Sequence, residues 1–321
     1  MNQTIKYISL RILTLALIVL GSGLFYEIYV YPDVIKQEGW IAEIYDAQIK
    51  EDPTVLFFSA SPNKSCADSD NDKRSISQMT SSYIGETIHS IDAGAFHAGV
   101  FLEVIKKLPD TTKVHTVVMD LNIRSFGIRW IHSPLENSIQ KSMAHWNGNP
   151  GIINRLNISL KNFDYTSQNE RLSLIEYSDK FSPIKVGEKV RTVYDWTKEK
   201  NDEKSVHFLQ KFAFNINENN IRVSQYDEVV KACKRKNLNL ILVILPEDVG
   251  SMGNQIGQEL KDIIHSNAKF LYERYSKGEV KVLNLSSYLD HDRFYEEFPT
   301  EHYDQIGRDS IAKSISQQIL N

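Results

Sequence analysis

Cysteine, glycine and proline are all scarce in this sequence, and each scarcity excludes a class of protein. The 321 residues include 2 Cys, 15 Gly and 9 Pro. Cys66 and Cys233 are too few and too far apart for a zinc site or a disulfide framework, and they are interpreted either as two free thiols or as one pair. The low glycine and proline content excludes a disordered or fibrous chain.

Concentrated charge is also missing. The formal net charge is -4, and the Lys and Arg residues are scattered along the chain. No basic stripe is therefore available to bind a phosphate backbone, which excludes nucleic acid as a partner. What is present, 41% hydrophobic and 24% charged residues, is typical of a folded globular protein. The length favours one α/β domain that carries an insertion.

An uncharged apolar segment lies close to the N-terminus. Residues 12–26 contain no charge, follow Lys6 and Arg11, and precede acidic residues. A helix needs roughly 17 to 25 residues to cross a bilayer, so we predict a transmembrane signal anchor over 12–30. Positive charge on its N-terminal side places residues 1–11 in the cytoplasm and the rest of the chain in the periplasm or outside the cell.

A cleaved signal peptide is the alternative for this segment. Gly21, Ser22 and Gly23 are small enough to resemble a cleavage region. Both interpretations place the folded domain on the same side of the membrane. Residues 31–52 are expected to form a linker or helix before the domain begins at residue 53.

Four short apolar runs and one shorter segment predict β-strands in the remainder of the chain. They occupy residues 54–60, a segment ending near 92–94, and residues 114–121, 238–245 and 280–285. Helical periodicity lies between them, at 95–108, 223–235 and 255–275. Strands that alternate with helices form a parallel sheet with helices on both faces. We therefore predict a three-layer α/β/α sandwich with a mostly parallel sheet of about five strands over residues 53–321.

Residues 131–220 interrupt this alternation. The segment is rich in Asn, Lys and aromatic residues and shows no clear strand. We predict a largely helical insertion between the third and fourth strands, at the place where a lid or substrate-binding cap would lie.

Residues with catalytic potential follow the strands of the predicted sheet. Ser61 comes after the first strand, Gly94 after the second, Asn122 after the third and His302 after the fifth. The loops at the carboxyl ends of parallel strands meet in one crevice, where ligands bind. A serine, a glycine backbone N–H, an asparagine amide and a histidine are the groups that acyl transfer needs. The sequence therefore predicts a serine-dependent acyl-transfer site.

These residues resemble the four motif blocks of the SGNH hydrolases, a branch of the GDSL esterases. The tripeptide Ser-Ala-Ser that ends at Ser61 stands where the family has Gly-Asp-Ser. His302 is followed five residues later by Gly307, as in the last motif of the family. Gly94 and Asn122 match the second and third blocks. The resemblance spans the predicted soluble domain apart from the insertion.

What the resemblance implies is an SGNH-hydrolase-like fold and a Ser-His acyl-enzyme mechanism. It makes Ser61 the nucleophile and His302 its base. It assigns the oxyanion hole to the backbone N–H groups of Ser61 and Gly94 and to the side chain of Asn122. It implies no metal and no cofactor.

The sequence departs from the family at the acid that orients the histidine. The family carries this acid three residues before the histidine, and Pro299 stands at that position here. The carboxylate would have to come from Glu301, Glu297 or Asp292, or a backbone carbonyl would orient the ring of His302. Glu301 is taken as the catalytic candidate because it adjoins the histidine.

Further polar residues are predicted near the crevice. Asn63 follows the nucleophile, and Arg124 and Trp130 follow the third strand; all three are candidate substrate-binding residues. An Arg and a Trp beside a polar site suit a sugar or an anionic group, and packing of the insertion is the alternative explanation.

Three alternating acids, Asp68, Asp70 and Asp72, lie just after the nucleophile. A calcium loop would also need the glycine and the distal glutamate of an EF-hand, which this segment lacks. We therefore predict a solvated acidic turn and no metal site.

A signal anchor joined to such a domain resembles membrane-anchored O-acyltransferases and esterases of the cell envelope. The resemblance implies an acylated cell-envelope glycan as substrate and a multi-spanning membrane acyltransferase as partner. Hydrolysis and transfer both remain open, because water and a sugar hydroxyl are both possible acceptors. Two alternatives are a catalytically inactive module that binds a glycan or a partner, favoured by Pro299, and a lipase-like esterase that acts on lipids.

Overall fold

The computed structural model describes most of the chain outside the centre of the predicted insertion. The described residues are 3–131, 133–148, 152, 184–186, 189–191, 193–200, 202–295 and 301–321. The chain divides into two compact units, a smaller one of Met1–Ile44 with Asn137–Tyr165 and a larger one of Tyr45–Glu136 with Thr166–Asn321.

The larger unit is built on a parallel sheet. The strands among the described residues are β1 (Val55–Ser59), β2 (Ile88–Asp92), β3 (Thr116–Asp120), β4 (Ile184–Val186), β5 (Lys189–Arg191), β6 (Asn239–Ile244) and β7 (Lys281–Asn284). Five of them form one sheet in the order β2-β1-β3-β6-β7, in which every neighbouring pair is parallel. The other two, β4 and β5, form a separate antiparallel hairpin. The predicted five-stranded parallel sheet is confirmed.

Helices connect and cover these strands. They are α1 (Gln3–Phe25), α2 (Tyr31–Glu38), α3 (Trp40–Ile49), α4 (Ile76–Ile84), α5 (Ala98–Lys107), α6 (Ile128–Ile131), α7 (Pro134–Trp146), α8 (Val193–Lys200), α9 (Glu203–Phe212), α10 (Ile221–Arg235), α11 (Val249–Ile256), α12 (Gln258–Tyr275) and α13 (Gln305–Leu320). Short 3-10 turns occupy Ser61–Asn63, Ile123–Phe126 and His291–Arg293.

Helices cover both faces of the sheet because its strands are apolar on both sides. Val55 and Phe57 of β1 belong to one core together with apolar residues of α4 and α13. Successive side chains of a strand point to opposite faces, so Phe58, the residue after Phe57, faces the other side of the sheet. There its ring lies 5.2 Å from the ring of Phe101 in α5, and α10 packs against α5. The predicted three-layer α/β/α sandwich is confirmed.

A glycine and a capping residue explain two differences from the predicted helices. The helix expected over 255–275 is broken at Gly257, whose φ of +119° lies in the region that favours glycine, and α11 and α12 meet there. The helix expected from residue 95 begins at Ala98. The side chain of His97 accepts a hydrogen bond from the Gly99 N–H and so caps its first turn.

The described part of the segment between β3 and β6 is mainly helical. It holds α6, α7, α8 and α9, together with the β4–β5 hairpin, which the sequence analysis did not predict. The alternating triplets Ile-Lys-Val and Lys-Val-Arg flank a Gly-Glu pair at this point, and this pattern is a hairpin signal. Residues 153–183 lie outside the described residues, so a lid or cap remains a prediction.

The smaller unit begins with a long apolar helical run. Together α1, a π-helical turn at Tyr26–Val30 and α2 form the run Gln3–Glu38, which is long and apolar enough to cross a membrane. Its most apolar window has a mean hydropathy of 2.1 and contains no buried residue. A signal sequence has the same features, so anchoring, cleavage and the direction of crossing stay predictions.

Candidate active site

The loops after β1 and β3 leave the sheet where its strand order reverses. β1 lies between β2 and β3 in the sheet. After β1 the chain adds β2 on one side of it, and then β3 on the other side. In open parallel sheets, ligands bind in the crevice at the carboxyl ends of the strands beside such a reversal. Ser61 opens the 3-10 turn after β1, and Asn122 directly precedes the 3-10 turn after β3. The topology therefore brings these two side chains to the same crevice.

Ser61 and His302 meet in this crevice although 241 residues separate them. The Nε2 atom of His302 lies 3.2 Å from the Oγ atom of Ser61. The imidazole ring stacks on the ring of Tyr295, with 5.9 Å between centroids and 23° between planes. The Tyr295 N–H donates to the His302 carbonyl over 3.3 Å. A histidine nitrogen at this distance can accept the hydroxyl proton.

A buried carboxyl group fixes the residues before the nucleophile. The Oδ2 atom of Asp120, at the end of β3, accepts hydrogen bonds from Ser59 Oγ (2.6 Å) and from the Ala60 N–H (3.1 Å). Burial is the main cause that raises the pKa of Asp120 to about 7, and the negative charge of Glu301 raises it further. The two hydrogen bonds lower this pKa but do not outweigh burial. Asp120 thus anchors the strand end from which Ser61 projects.

The raised pKa of Asp120 makes stability depend on pH. Between its ordinary value of 3.8 and about 7, the folded chain holds a proton that the unfolded chain has lost, so stability falls as the pH rises through this window. We expect the melting temperature to decline between about pH 4 and about pH 7, and Asp120→Asn to remove much of that decline. The exposed control Asp46→Asn should keep it. An unchanged slope in Asp120→Asn would contradict the assignment.

Asn122, predicted to bind the oxyanion, and the turn that follows Gly94 both lie at the cavity beside Ser61. The Asn122 side chain is buried, its Nδ2 makes a long hydrogen bond of 3.5 Å to Glu301 Oε1, and its Oδ1 has no partner among the described residues. Gly94 is exposed in a turn that the Phe96 N–H closes on the Ala93 carbonyl over 3.1 Å.

A small cavity adjoins Ser61 on the side of this turn. Its free volume is about 20 Å³, close to the space that one water molecule needs. Its described lining consists of Ala60, Ser61, Ala95, Phe96, His97, Asn122, Arg124, Ser125, Trp130 and Arg222. Ala95, at φ +64°, lies in the left-handed region, and it rather than Gly94 belongs to this lining. No carboxylate occurs in the described lining.

Two of the three predicted substrate-binding residues line this cavity. Arg124 is buried, and its guanidinium carbon lies 4.8 Å from the centre of the Trp130 ring. The structure places Asn63 elsewhere, because its side chain is fully buried and donates to Ser77 Oγ over 3.1 Å and to Asp92. Asn63 therefore ties the nucleophile turn to α4 and β2.

Two of the three carboxylates proposed to orient His302 pair with arginines. The fully buried Glu301 side chain pairs with Arg124 and accepts the long hydrogen bond from Asn122. Asp292 pairs with its neighbour Arg293. Glu297 and Pro299 lie outside the described residues. Glu301 thus connects the segment that carries His302 with the loop that carries Asn122 and Arg124.

Sequence reasoning missed a buried arginine behind both catalytic loops. Arg308 is fully buried and donates to Asp70 Oδ2 (2.8 Å), to the Ser65 carbonyl (3.3 Å) and to the Tyr303 carbonyl (2.9 Å). The remaining donors reach the carbonyls of Asp72 (2.6 Å) and Arg74 (3.1 Å). No sequence pattern indicated this role.

The acidic segment after the nucleophile serves this arginine. Asp70 pairs with Arg308 and also accepts from the Gln305 N–H over 3.1 Å, and Asp72 pairs with Arg74. The described residues contain no group of three or more acidic, His or Cys side chains that could hold a metal ion. Both cysteines are free thiols, and burial raises the pKa of Cys233 to about 12.

Comparison with known proteins was made by sequence and by structure. No protein-family model and no curated protein matches the sequence. Among solved structures, a GDSL-like lipase from Bacteroides thetaiotaomicron is similar over 88% of this chain and 97% of its own, at 10% identity and a TM-score of 0.42.

Two further structures show the same kind of likeness. A lipase/acylhydrolase from Enterococcus faecalis matches 83% of this chain and 94% of its own, at 10% identity and a TM-score of 0.35. An acetyl xylan esterase from Butyrivibrio proteoclasticus matches 83% of this chain and 62% of its own, at 10% identity and a TM-score of 0.27. At this identity, the likeness concerns the fold alone. In the arrangement of its strands and helices, the chain resembles GDSL-like lipases and acylhydrolases.

Proposed function

We propose that this protein is a membrane-anchored, extracytoplasmic serine esterase or O-acyltransferase that acts on an acylated cell-envelope glycan. The observation that supports the chemistry most directly is the 3.2 Å distance between His302 Nε2 and Ser61 Oγ. A hydroxyl group becomes an effective nucleophile when a base at this distance can take its proton. The apolar run Gln3–Glu38 supports the anchor.

The proposed reaction proceeds through an acyl-enzyme. His302 Nε2 accepts the proton of Ser61 as the Oγ atom attacks the ester carbonyl carbon. In the proposal the negative oxygen that forms is bound by the Asn122 amide, by the backbone N–H of Ser61 and by a backbone N–H of the Gly94–Ala95 turn, of which Ala95 lines the cavity. The intermediate collapses, and the alcohol leaves with the proton from His302. Water or a sugar hydroxyl then attacks the acyl group by the same steps in reverse.

Glu301 supports this reaction as a positioning residue in our proposal. Its carboxylate is held by Arg124, on the loop after β3. The next residue is His302, so this ion pair restrains the main chain that carries the base.

The cavity beside Ser61 favours a short acyl group. Its described lining includes two arginines, a histidine and an asparagine. Apolar chains are bound by predominantly apolar pockets. This polar lining supports a small acyl group such as acetyl over the long apolar chain of the lipase-like alternative.

The glycan and the acyl donor are the least direct parts of the proposal. Trp130 and Arg124 are suited to a sugar ring and its oxygen atoms. Transfer to a glycan outside the membrane would need an acyl group delivered across it, and a multi-spanning membrane acyltransferase is the partner that would supply it. A glycan- or partner-binding module without activity is the second candidate, and Pro299 at the usual acid position favours it.

Labelling with a serine-directed fluorophosphonate tests the proposal. We expect the wild-type protein to be labelled and Ser61→Ala to be unlabelled and unable to release nitrophenol from p-nitrophenyl acetate. Ser65→Ala is the matched control, because Ser65 lies four residues further on and its Oγ donates to the Ser61 carbonyl over 2.9 Å. It should be labelled like the wild type. Equal labelling of Ser61→Ala would eliminate Ser61 as the nucleophile, and no labelling of any variant would favour the binding module.

A further inference from the structure

We infer that Arg124 is a catalytic residue whose guanidinium donates to the oxyanion formed at Ser61. This inference rests on the proposed acyl-enzyme chemistry and adds a charged donor to the neutral amide and backbone N–H groups. It differs from a substrate-binding role, because the contact would form with the reacting oxygen and not with a distant part of the substrate.

Position in the fold is the first support. Asn122 and Arg124 flank Ile123 at the start of the same 3-10 turn after β3. Both side chains are buried, at 7% exposure each, and both line the cavity that adjoins Ser61. One short turn therefore directs an amide and a guanidinium into the space where the carbonyl oxygen of an ester must lie.

The guanidinium is held rigidly and still has a donor available. It pairs with Glu301 through Nη2, and it stacks on Trp130 at 4.8 Å. Its Nε atom is buried and has no hydrogen-bond partner among the described residues. A buried N–H without an acceptor is unfavourable, and an oxygen atom in the cavity would satisfy it.

The second arginine of the cavity does not have this freedom. Arg222 donates to Glu136 (3.0 Å), to Gln225 (2.9 Å) and to His97 Nδ1 (2.8 Å), so its guanidinium serves the wall of the cavity. Because Arg124 lines the cavity beside Ser61 and keeps one donor without a partner among the described residues, this leaves it as the charged donor for an oxygen atom in the cavity.

A charged donor at this point acts where negative charge develops. The carbonyl oxygen is nearly neutral in the substrate and anionic in the tetrahedral intermediate, so the hydrogen bond strengthens as the reaction proceeds. Donors fixed in advance inside a buried site pay no reorganisation when the charge appears. Loss of Arg124 should therefore lower kcat and leave KM almost unchanged.

The test compares Arg124→Gln and Arg124→Lys with wild type on p-nitrophenyl acetate, with 1,1,1-trifluoroacetone as a second probe. This ketone adds to a serine oxygen and forms a tetrahedral oxyanion. We expect Arg124→Gln to lower kcat by about 10²- to 10³-fold and to weaken inhibition by the ketone by a similar factor. Arg124→Lys keeps the charge but loses the planar donor, so its kcat and its ketone affinity should lie between those of the wild type and of Arg124→Gln. Arg129→Gln removes a neighbouring cation outside the described cavity lining and should stay within about threefold of wild type.

Several outcomes would overturn the inference. A rise in KM with unchanged kcat would make Arg124 a substrate-binding residue. A fall in kcat without weaker inhibition by the ketone would mean that Arg124 acts through Glu301 on His302. If Arg124→Gln does not fold, Arg124→Lys decides. A parallel loss of kcat and of ketone affinity in that variant supports the inference, and a loss of kcat with unchanged ketone affinity contradicts it. Fluorophosphonate labelling at Ser61 in each variant separates these outcomes from failure of the proposed function, which would abolish Ser61-dependent labelling in the wild type as well.

Discussion

Replacing His302 by Ala should lower kcat/KM for p-nitrophenyl acetate by about 10⁴-fold, with the fold intact. Without the imidazole at 3.2 Å, the Ser61 hydroxyl keeps its proton and remains a weak nucleophile. For an alkyl ester, protonation of the leaving alcohol would be lost as well, because the same nitrogen donates that proton. Steady-state kinetics at constant enzyme concentration, with circular dichroism to check folding, measure the effect. The remaining activity should resemble that of Ser61→Ala, because the two residues act as one unit.

The chain offers a sharp control for this experiment. His291 also pairs with a carboxylate, since its Nδ1 lies 2.7 Å from Asp248 Oδ2, and it comes just before the segment that carries His302. Its side chain is 67% exposed, and its partner caps α11. His291→Ala should therefore keep full activity. Full activity in His302→Ala together with its loss in His291→Ala would move the base to the His291–Asp248 pair and would remove the proposed site.

The layered fold could be predicted because its signals are local. Four of the five predicted strands are apolar runs, and the run at 54–60 contains β1, Val55–Ser59, whose residues are all buried. Runs of this kind form only where both sheet faces are covered. Gly257 shows the limit of the method. Apolar periodicity continues past a glycine, and only the backbone conformation at φ +119° reveals that the helix ends there.

The candidate site was predictable in its residue types and less so in its contacts. Placing Ser61, Asn122 and His302 at one crevice needs only the rule that loops after parallel strands converge. The direction of Asn63 depends on the fold of a three-residue turn, and this turn buries the side chain against Ser77 and Asp92. Side-chain contacts between residues far apart in the sequence form only once the loops have folded against each other. A single sequence contains no pattern that predicts them.

Arg308 illustrates this point and leads to the largest expected effect on stability. It joins Asp70, which lies 238 residues away in the chain, and both side chains are almost fully buried. Burial raises the pKa of Asp70, but the hydrogen bonds from Arg308, Gln305 and Ala67 outweigh it and lower the pKa overall. The stabilisation is therefore present at neutral pH and is lost as the pH falls below the ordinary Asp value.

Arg308→Met should reduce the free energy of unfolding by about 3 to 5 kcal/mol, because it leaves a buried carboxylate without its partner. Four carbonyls also lose their donor, among them those of Ser65, after Ser61, and Tyr303, after His302. Denaturant unfolding measures the loss. Lys313→Met on the same helix is the matched control, because Lys313 is exposed and its pair with Asp309 should contribute less than about 1 kcal/mol. Similar stability losses in the two variants would show that the buried arginine does not hold the loops together. A greater loss in Arg308→Met, with lower kcat in the folded fraction, would show that the distance between Ser61 and His302 depends on this residue, which contacts neither of them in the described structure.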